Sequence, residues 1–168
     1  EESDAGKVHW LRRRTHATPA ALIEVRLAHW EATHDRQALT AIRRDVFVDE
    51  QQVPEEDEMD TFDETSLHLL AHSGDSGFIG CARIMPTGQI GRMAVLREFR
   101  GGGVGSLLMT AALKEAKGQS FETVFLHAQC HAEAFYSRFG FVACGDIFDE
   151  AGIEHVRMTL SASPMPLS

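Results

Sequence analysis

The chain is poor in cysteine, in positive charge and in long apolar runs. Its three cysteines, Cys81, Cys130 and Cys144, are odd in number and far apart. That excludes a disulfide framework and a Cys-x-x-Cys metal site, and it fits a reducing, cytoplasmic setting. The nine histidines are scattered along the chain, and no metal is expected. No apolar run approaches the ~18 residues of a membrane-spanning helix, so no membrane association is expected. Sixteen Lys and Arg stand against 25 Asp and Glu, a net charge of −9. That sign repels phosphate backbones and excludes nucleic acid as the expected partner. No apolar stretch of secretory length follows Arg12-Arg13-Arg14, so these residues read as part of a basic tail. Tyrosine occurs once, at Tyr136.

A length of 168 residues fits one domain with a substantial core. We place that domain at 21–161, between an N-terminal tail over 1–20 and a Ser/Pro-rich tail over 162–168. Weak alternation marks a first strand over 24–30. Leu39, Ile42, Val46 and Phe47 recur at i, i+3, i+7 and i+8 and mark a first helix. Pro54 interrupts a polar stretch, so 49–64 reads as loop plus a short helix. Segments 67–72 and 78–85 form a hairpin around Gly74-Asp75-Ser76-Gly77. Pro86-Thr87-Gly88 then turns into a strand over 89–95. A fifth strand covers 123–129, a second main helix 132–139, and a late hairpin 141–148 and 154–160. The pattern is α/β of the mixed, α+β type. It predicts one mostly antiparallel sheet flanked by helices, with a parallel pair where the helix crosses from 89–95 to 123–129.

The most informative segment is Arg100-Gly101-Gly102-Gly103-Val104-Gly105-Ser106, between that strand and a helix pattern. Val104, Leu107, Leu108, Ala111 and Ala112 recur at i, i+3, i+4, i+7 and i+8, and Gly118 suits the helix end. Glycines before a helix leave backbone N–H groups uncovered at its positive end, where phosphate binds. A glycine run is just as often a plain flexible turn, so the surrounding order of elements decides. The loop lacks the Gly-Lys-Ser/Thr ending of a Walker loop, and the chain lacks an N-terminal βαβ dinucleotide unit.

Arg100, Gly103 and Gly105 resemble the Gln/Arg-x-x-Gly-x-Gly/Ala loop of the GNAT family of acyl-CoA-dependent N-acyltransferases. Residues 132–141, Ala-Glu-Ala-Phe-Tyr-Ser-Arg-Phe-Gly-Phe, resemble that family's Tyr-bearing helix. The flanks 90–95, 128–129 and 150–155 resemble its ElaA-like branch. The resemblance spans roughly 22–160 and implies the GNAT fold, with acetyl-CoA as co-substrate between two splayed strands. It implies that Met93 and Val95 pair with the pantetheine arm. Arg100, Gly101, Gly102, Gly103, Val104, Gly105 and Ser106 would wrap the pyrophosphate. Gln129 and Phe135 also fall at cofactor-binding positions, Gln129 where many relatives carry Asn.

An amine attacking a thioester must be neutral, and its reaction needs a donor to the carbonyl oxygen and a proton for the thiolate. A backbone N–H near Ala94 or Val95 is the expected donor. Tyr136, which falls at the family's acid position, is the expected general acid, since a phenol of pKa ~10 is protonated at neutral pH. The alternative for Tyr136 is packing beside the cofactor sulfur.

Segment 49–64 holds nine acids and no Lys or Arg. A negative mouth attracts a cationic amine, although most such residues simply form a solvated face. Glu50 is the leading general-base candidate, with His68 and Asp60 behind it. His127 and His155 lie near the expected cleft, where a lone His is more often packed than catalytic. Arg43, Phe47, Glu58, Asp60, Asp63 and Arg83 also resemble the pattern of acyl-homoserine-lactone synthases. Their simplest expected role is an ion-pair clamp, with Arg83 pairing Asp60 or Asp63.

The expected activity is acetyl transfer to a primary amine on a small molecule or peptide, by direct attack. The alternatives are a non-catalytic acyl-CoA-sensing module and a lactone-synthase-like enzyme. A homodimer is a further expectation of the resemblance.

Overall fold

The computed structural model describes residues 23–160; the expected tails at 1–20 and 162–168 lie outside the described residues. Seven strands form one sheet: β1 Ile23–Ala28, β2 Leu67–Ser73, β3 Gly77–Ile84, β4 Gln89–Val95, β5 Val124–Gln129, β6 Phe141–Glu150 and β7 Ile153–Leu160. Their order is β1-β2-β3-β4-β5-β7-β6, and only β4 and β5 run parallel. The crossover between these two is α2, Val104–Lys117, on one face of the sheet. Helix α1, Thr33–Arg43, covers the other face and runs into a wider π-type turn, Arg44–Glu50. A short helix α3, Glu133–Ser137, precedes β6.

Two apolar clusters sandwich the sheet. On one face Val104, Leu108, Met109 and Ala112 of α2 pack on Leu69, Ile79, Leu126 and Met158. On the other, Leu39, Ile42 and Val46 pack on Leu70, Cys81 and Ala94. Full burial of one such Leu or Ile is worth ~1.5–3 kcal/mol. The buried stripe of α2 is shifted from the expected one: Leu107 is 40% exposed, while Met109 and Ala116 are buried.

The expected strands and their pairings are present, with small shifts at the ends. The first strand stops at Ala28 rather than Trp30. The expected second main helix, 132–139, is α-helical only over Glu133–Ser137. Its ends tighten into three-residue turns, with Phe139 N–H donating to Tyr136 and Gly140 N–H donating to Ser137.

The parallel pair is short. Register contacts link Gln89 to Phe125 and Ile90 to Leu126, and then the strands part. Gly88 fixes the closed end. Its φ is +90°, and a Cβ there would sit 2.2 Å from the Thr123 carbonyl oxygen. A β-bulge opens the other end, where Arg92 and Met93 of β4 face the single residue Ala82 of β3. Arg92 carries the strain of the bulge at φ +47°.

Candidate active site

The parted strands open a cleft of about 1090 Å³. One wall is β4, including Met93, Ala94 and Val95, beyond the last β5 contact. Met93 has no register partner on β3 or on β5. Its stretch of strand is therefore open to an added extended chain.

The glycine loop and the start of α2 form the upper rim. Arg100, Gly101, Gly103, Val104, Gly105 and Ser106 all line the cleft; Gly102, expected beside them, does not. Gly103 precedes the helix at φ +86° and ψ 6°, and no side chain caps the first turn. The first N–H groups of α2 thus lack helical acceptors, the condition for anion binding. A Cβ at Gly103 would meet no atom within 4 Å, so its requirement is the left-handed backbone rather than space.

Phe135 and Tyr136 reach the cleft from α3. Phe135 packs over the first turn of α2, where a Cβ on Gly105 would lie 3.5 Å from the ring. Tyr136 stands edge-on to Phe135 and to Phe141. Burial pushes its phenol above the ordinary value, so it is protonated at neutral pH.

Glu50 lines the cleft too, but in a tie that the sequence did not reveal. Arg100 donates to both of its carboxylate oxygens, at 2.6 and 2.9 Å. The same guanidinium donates through Nε to the Val95 carbonyl at 2.9 Å. The Arg100 hydrogen bonds hold the Glu50 carboxyl below its ordinary value, which makes it a weaker base than a free carboxylate. Gln129, at the open end of β5, donates to Gln51 Oε1 at 2.9 Å and bridges the two walls.

The acidic segment is largely a clamp. Arg43, 1% exposed, donates to Glu58 at 2.9 Å and to Asp63 at 2.7 Å. Arg83 donates to Asp60 at 2.7 Å and to Asp63 at 3.0 Å, so it takes both expected partners. Arg92 on the bulge closes the set through Glu58 and Asp60, each at 3.1 Å. Three guanidinium groups thus meet three carboxylates. Glu58 and Arg92 present this network to the cleft, and Asp57 lines it beside them.

Two weaker base candidates fall away. His68 is buried, stacks on Trp30 and pairs through Nε2 with the Asp63 carbonyl; burial lowers its pKa. Asp60 serves Arg83 and Arg92. Neither lines the cleft. His127, Glu150 and His155 do line it, from β5, β6 and β7.

His68/His72 and His127/His131 are each four apart, a spacing that joins two rings only on a helix. The first pair lies on β2, and the second straddles the end of β5. Among the described residues no group of three or more His, Cys, Asp or Glu is placed to hold a metal ion. No described helix is long and apolar enough to cross a membrane.

A family model described as an acetyltransferase (GNAT) domain matches residues 31–162. The uncharacterised N-acetyltransferase YjcF of Bacillus subtilis is 35% identical over 121 residues, covering 70% of this chain and 86% of that protein. ElaA of Escherichia coli is 31% identical over 147 residues, covering 79% of this chain and 95% of that protein. The crystal structure of ElaA superposes with a TM-score of 0.74, covering 83% of this chain and 99% of that one. An acyl-CoA N-acyltransferase from Pseudomonas aeruginosa, 32% identical with the same coverage, also gives 0.74. With its mixed seven-stranded sheet and single parallel pair, the chain belongs to the GNAT acetyltransferase family.

Proposed function

We propose that the protein transfers acetyl from acetyl-CoA to a primary amine by direct attack. The observation that carries this reading is the convergence in one cleft of an uncapped helix N-terminus, an unpaired strand edge and a half-buried phenol. The residues present fit acyl-CoA as a substrate. Backbone N–H groups of Gly103 through Ser106 suit its pyrophosphate, and the edge of β4 around Met93 suits its amide-bearing arm. Phe135 supports the first turn of α2 at Gly105.

Tyr136 then gives its proton to the departing thiolate, an effect of ~10²–10⁴ in typical general-acid catalysis. Backbone N–H at Ala94 or Val95, just after the bulge, stabilises the developing oxyanion. Glu50 we assign to tying the π-type turn to the glycine loop through Arg100, rather than to proton abstraction. No side chain needs to carry the acyl group. The acidic mouth, with Asp57 exposed and Glu150 half-exposed in the cleft wall, supports a cationic acceptor on a small molecule or peptide.

Incubation with acetyl-CoA and an amine, followed by mass spectrometry of the amine, tests the reading. One added acetyl group on the amine, absent without protein, is expected. Tight acetyl-CoA binding with no acetylated amine would favour a non-catalytic sensing module.

A further inference from the structure

The cleft contains a histidine whose basic nitrogen is kept free by its own strand. His155 is buried, and its Nδ1 lies 2.7 Å from the Ile153 carbonyl oxygen. A carbonyl only accepts, so Nδ1 carries the proton and the neutral ring keeps its lone pair on Nε2. Nε2 lies 3.6 Å from Glu150 Oε2. That is too long for a hydrogen bond. Phe148 stacks on the imidazole with centroids 5.9 Å apart and fixes its plane. His155 pairs in register with Gln129, so both occupy the open end of the splay, on the sheet face opposite α2.

We propose that His155 is the general base that takes the proton from the acceptor ammonium, with the Ile153 carbonyl and the Phe148 ring as its positioning partners. The inference rests on the acetyltransferase reading above. The other carboxylates and histidines of the cleft are less suited. Glu50 is held by Arg100, and Glu58 by Arg43 and Arg92. Asp57 and His131 are exposed. His127 meets Glu150 at 3.5 Å through Nδ1, and among the described residues no carbonyl bonds its ring to set the tautomer. The charged or titratable groups that the strand register places beside His155 are Glu150 from β6, His127 from β5 and Arg157 on its own strand.

The proton count closes. The ammonium loses one proton to His155 Nε2, and the ring later returns it to water. The neutral amine attacks the thioester carbon; a C–N bond forms and the C–S bond breaks. The nitrogen sheds a second proton to water as the amide forms, which balances the proton that later restores the Tyr136 phenol. The thiolate takes one from Tyr136, whose phenolate is then reprotonated. One hydrogen stays on the amide.

His155→Asn tests this, because its side-chain amide keeps a donor for the Ile153 carbonyl and removes the basic nitrogen. The expected result is a ~10²–10⁴-fold loss of kcat/KM for the amine and loss of the acidic limb of its pH profile. Acetyl-CoA affinity and Tm should stay at parent values. Independently of turnover, nitrogen NMR of the ligand-free parent should show His155 as the Nδ1–H tautomer above its titration.

An Nε2–H tautomer overturns the proposal. So does a His155→Asn variant within threefold of the parent, or one that retains the acidic limb. Loss of acetyl-CoA binding or of folding along with activity assigns His155 a structural role and also overturns it. A parent protein that releases no thiol with any amine overturns the acetyltransferase reading itself, whereas an active parent with an active variant overturns only the base.

Discussion

Replacing Arg43 with methionine would remove a buried charge while keeping most of the volume. The side chain is 1% exposed and donates to Glu58 Oε1, to both oxygens of Asp63, and to the Glu58 carbonyl at 2.7 Å. Without it, the guanidinium groups of Arg83 and Arg92 face three carboxylates, Glu58, Asp60 and Asp63. One negative charge is then left buried and unpaired, and such a loss typically costs about 3–5 kcal/mol. For a chain of this size that is a fall in Tm of about 6–20 °C. Arg43→Lys should recover little, since one ammonium cannot span two carboxylates and a carbonyl as the fork does.

The deficit should also depend on pH. Burial lifts the Glu58 carboxyl above its ordinary value even with Arg92 and Arg43 beside it. A carboxyl raised in the fold binds more protons folded than unfolded, so its contribution to stability falls as pH rises through this window. Removing Arg43 raises it further, and the gap between variant and parent should narrow on acidification. Thermal melts at pH 7.5 and pH 5, followed by circular dichroism, measure both effects. A variant melting within 1 °C of the parent, or a gap that widens in acid, would refute the clamp.

Three further perturbations address the cleft. Tyr136→Phe should lower kcat by ~10²–10⁴ with little change in acetyl-CoA affinity, as read by steady-state kinetics and calorimetry; an unchanged kcat across pH removes the acid assignment. Gly103→Val should cost ~1–2 kcal/mol in left-handed strain and weaken acetyl-CoA binding at least tenfold in the same titration, while the fold persists. Glu50→Gln should keep kcat within about threefold, because the structure gives Glu50 a tying role through Arg100; a collapse of kcat with binding intact would restore it as the base.

Local chemistry made much of the fold legible. The Gly-rich loop, the 3.6-residue period of α2 and the Gly74–Gly77 turn each announce their element within a few residues. The parallel pair followed from one helix lying between two strands. The sequence did not reveal contacts that join distant segments. Arg100 and Glu50 lie 50 residues apart, and Gln51 and Gln129 lie 78 apart. Sequence suggested Glu50 as a base because nothing near it in the chain shows its guanidinium partner. Arg92 gave no signal at all, since a bulge is a property of two paired strands. The Arg83 pairings were legible through the resemblance to the lactone-synthase pattern, which brought Arg83 together with Asp60 and Asp63. His155 was visible as a residue, but the carbonyl that sets its tautomer, two positions back along its own strand, was not.

The central claim is amine-dependent acetyl transfer, and thiol release from acetyl-CoA tests it most directly. The purified protein would be assayed against polyamines, amino sugars, amino acids and N-terminal peptides. The account predicts release that rises with one class of cationic amine and saturates. Acetyl-CoA bound tightly, with no release above the protein-free rate for any amine, would contradict it.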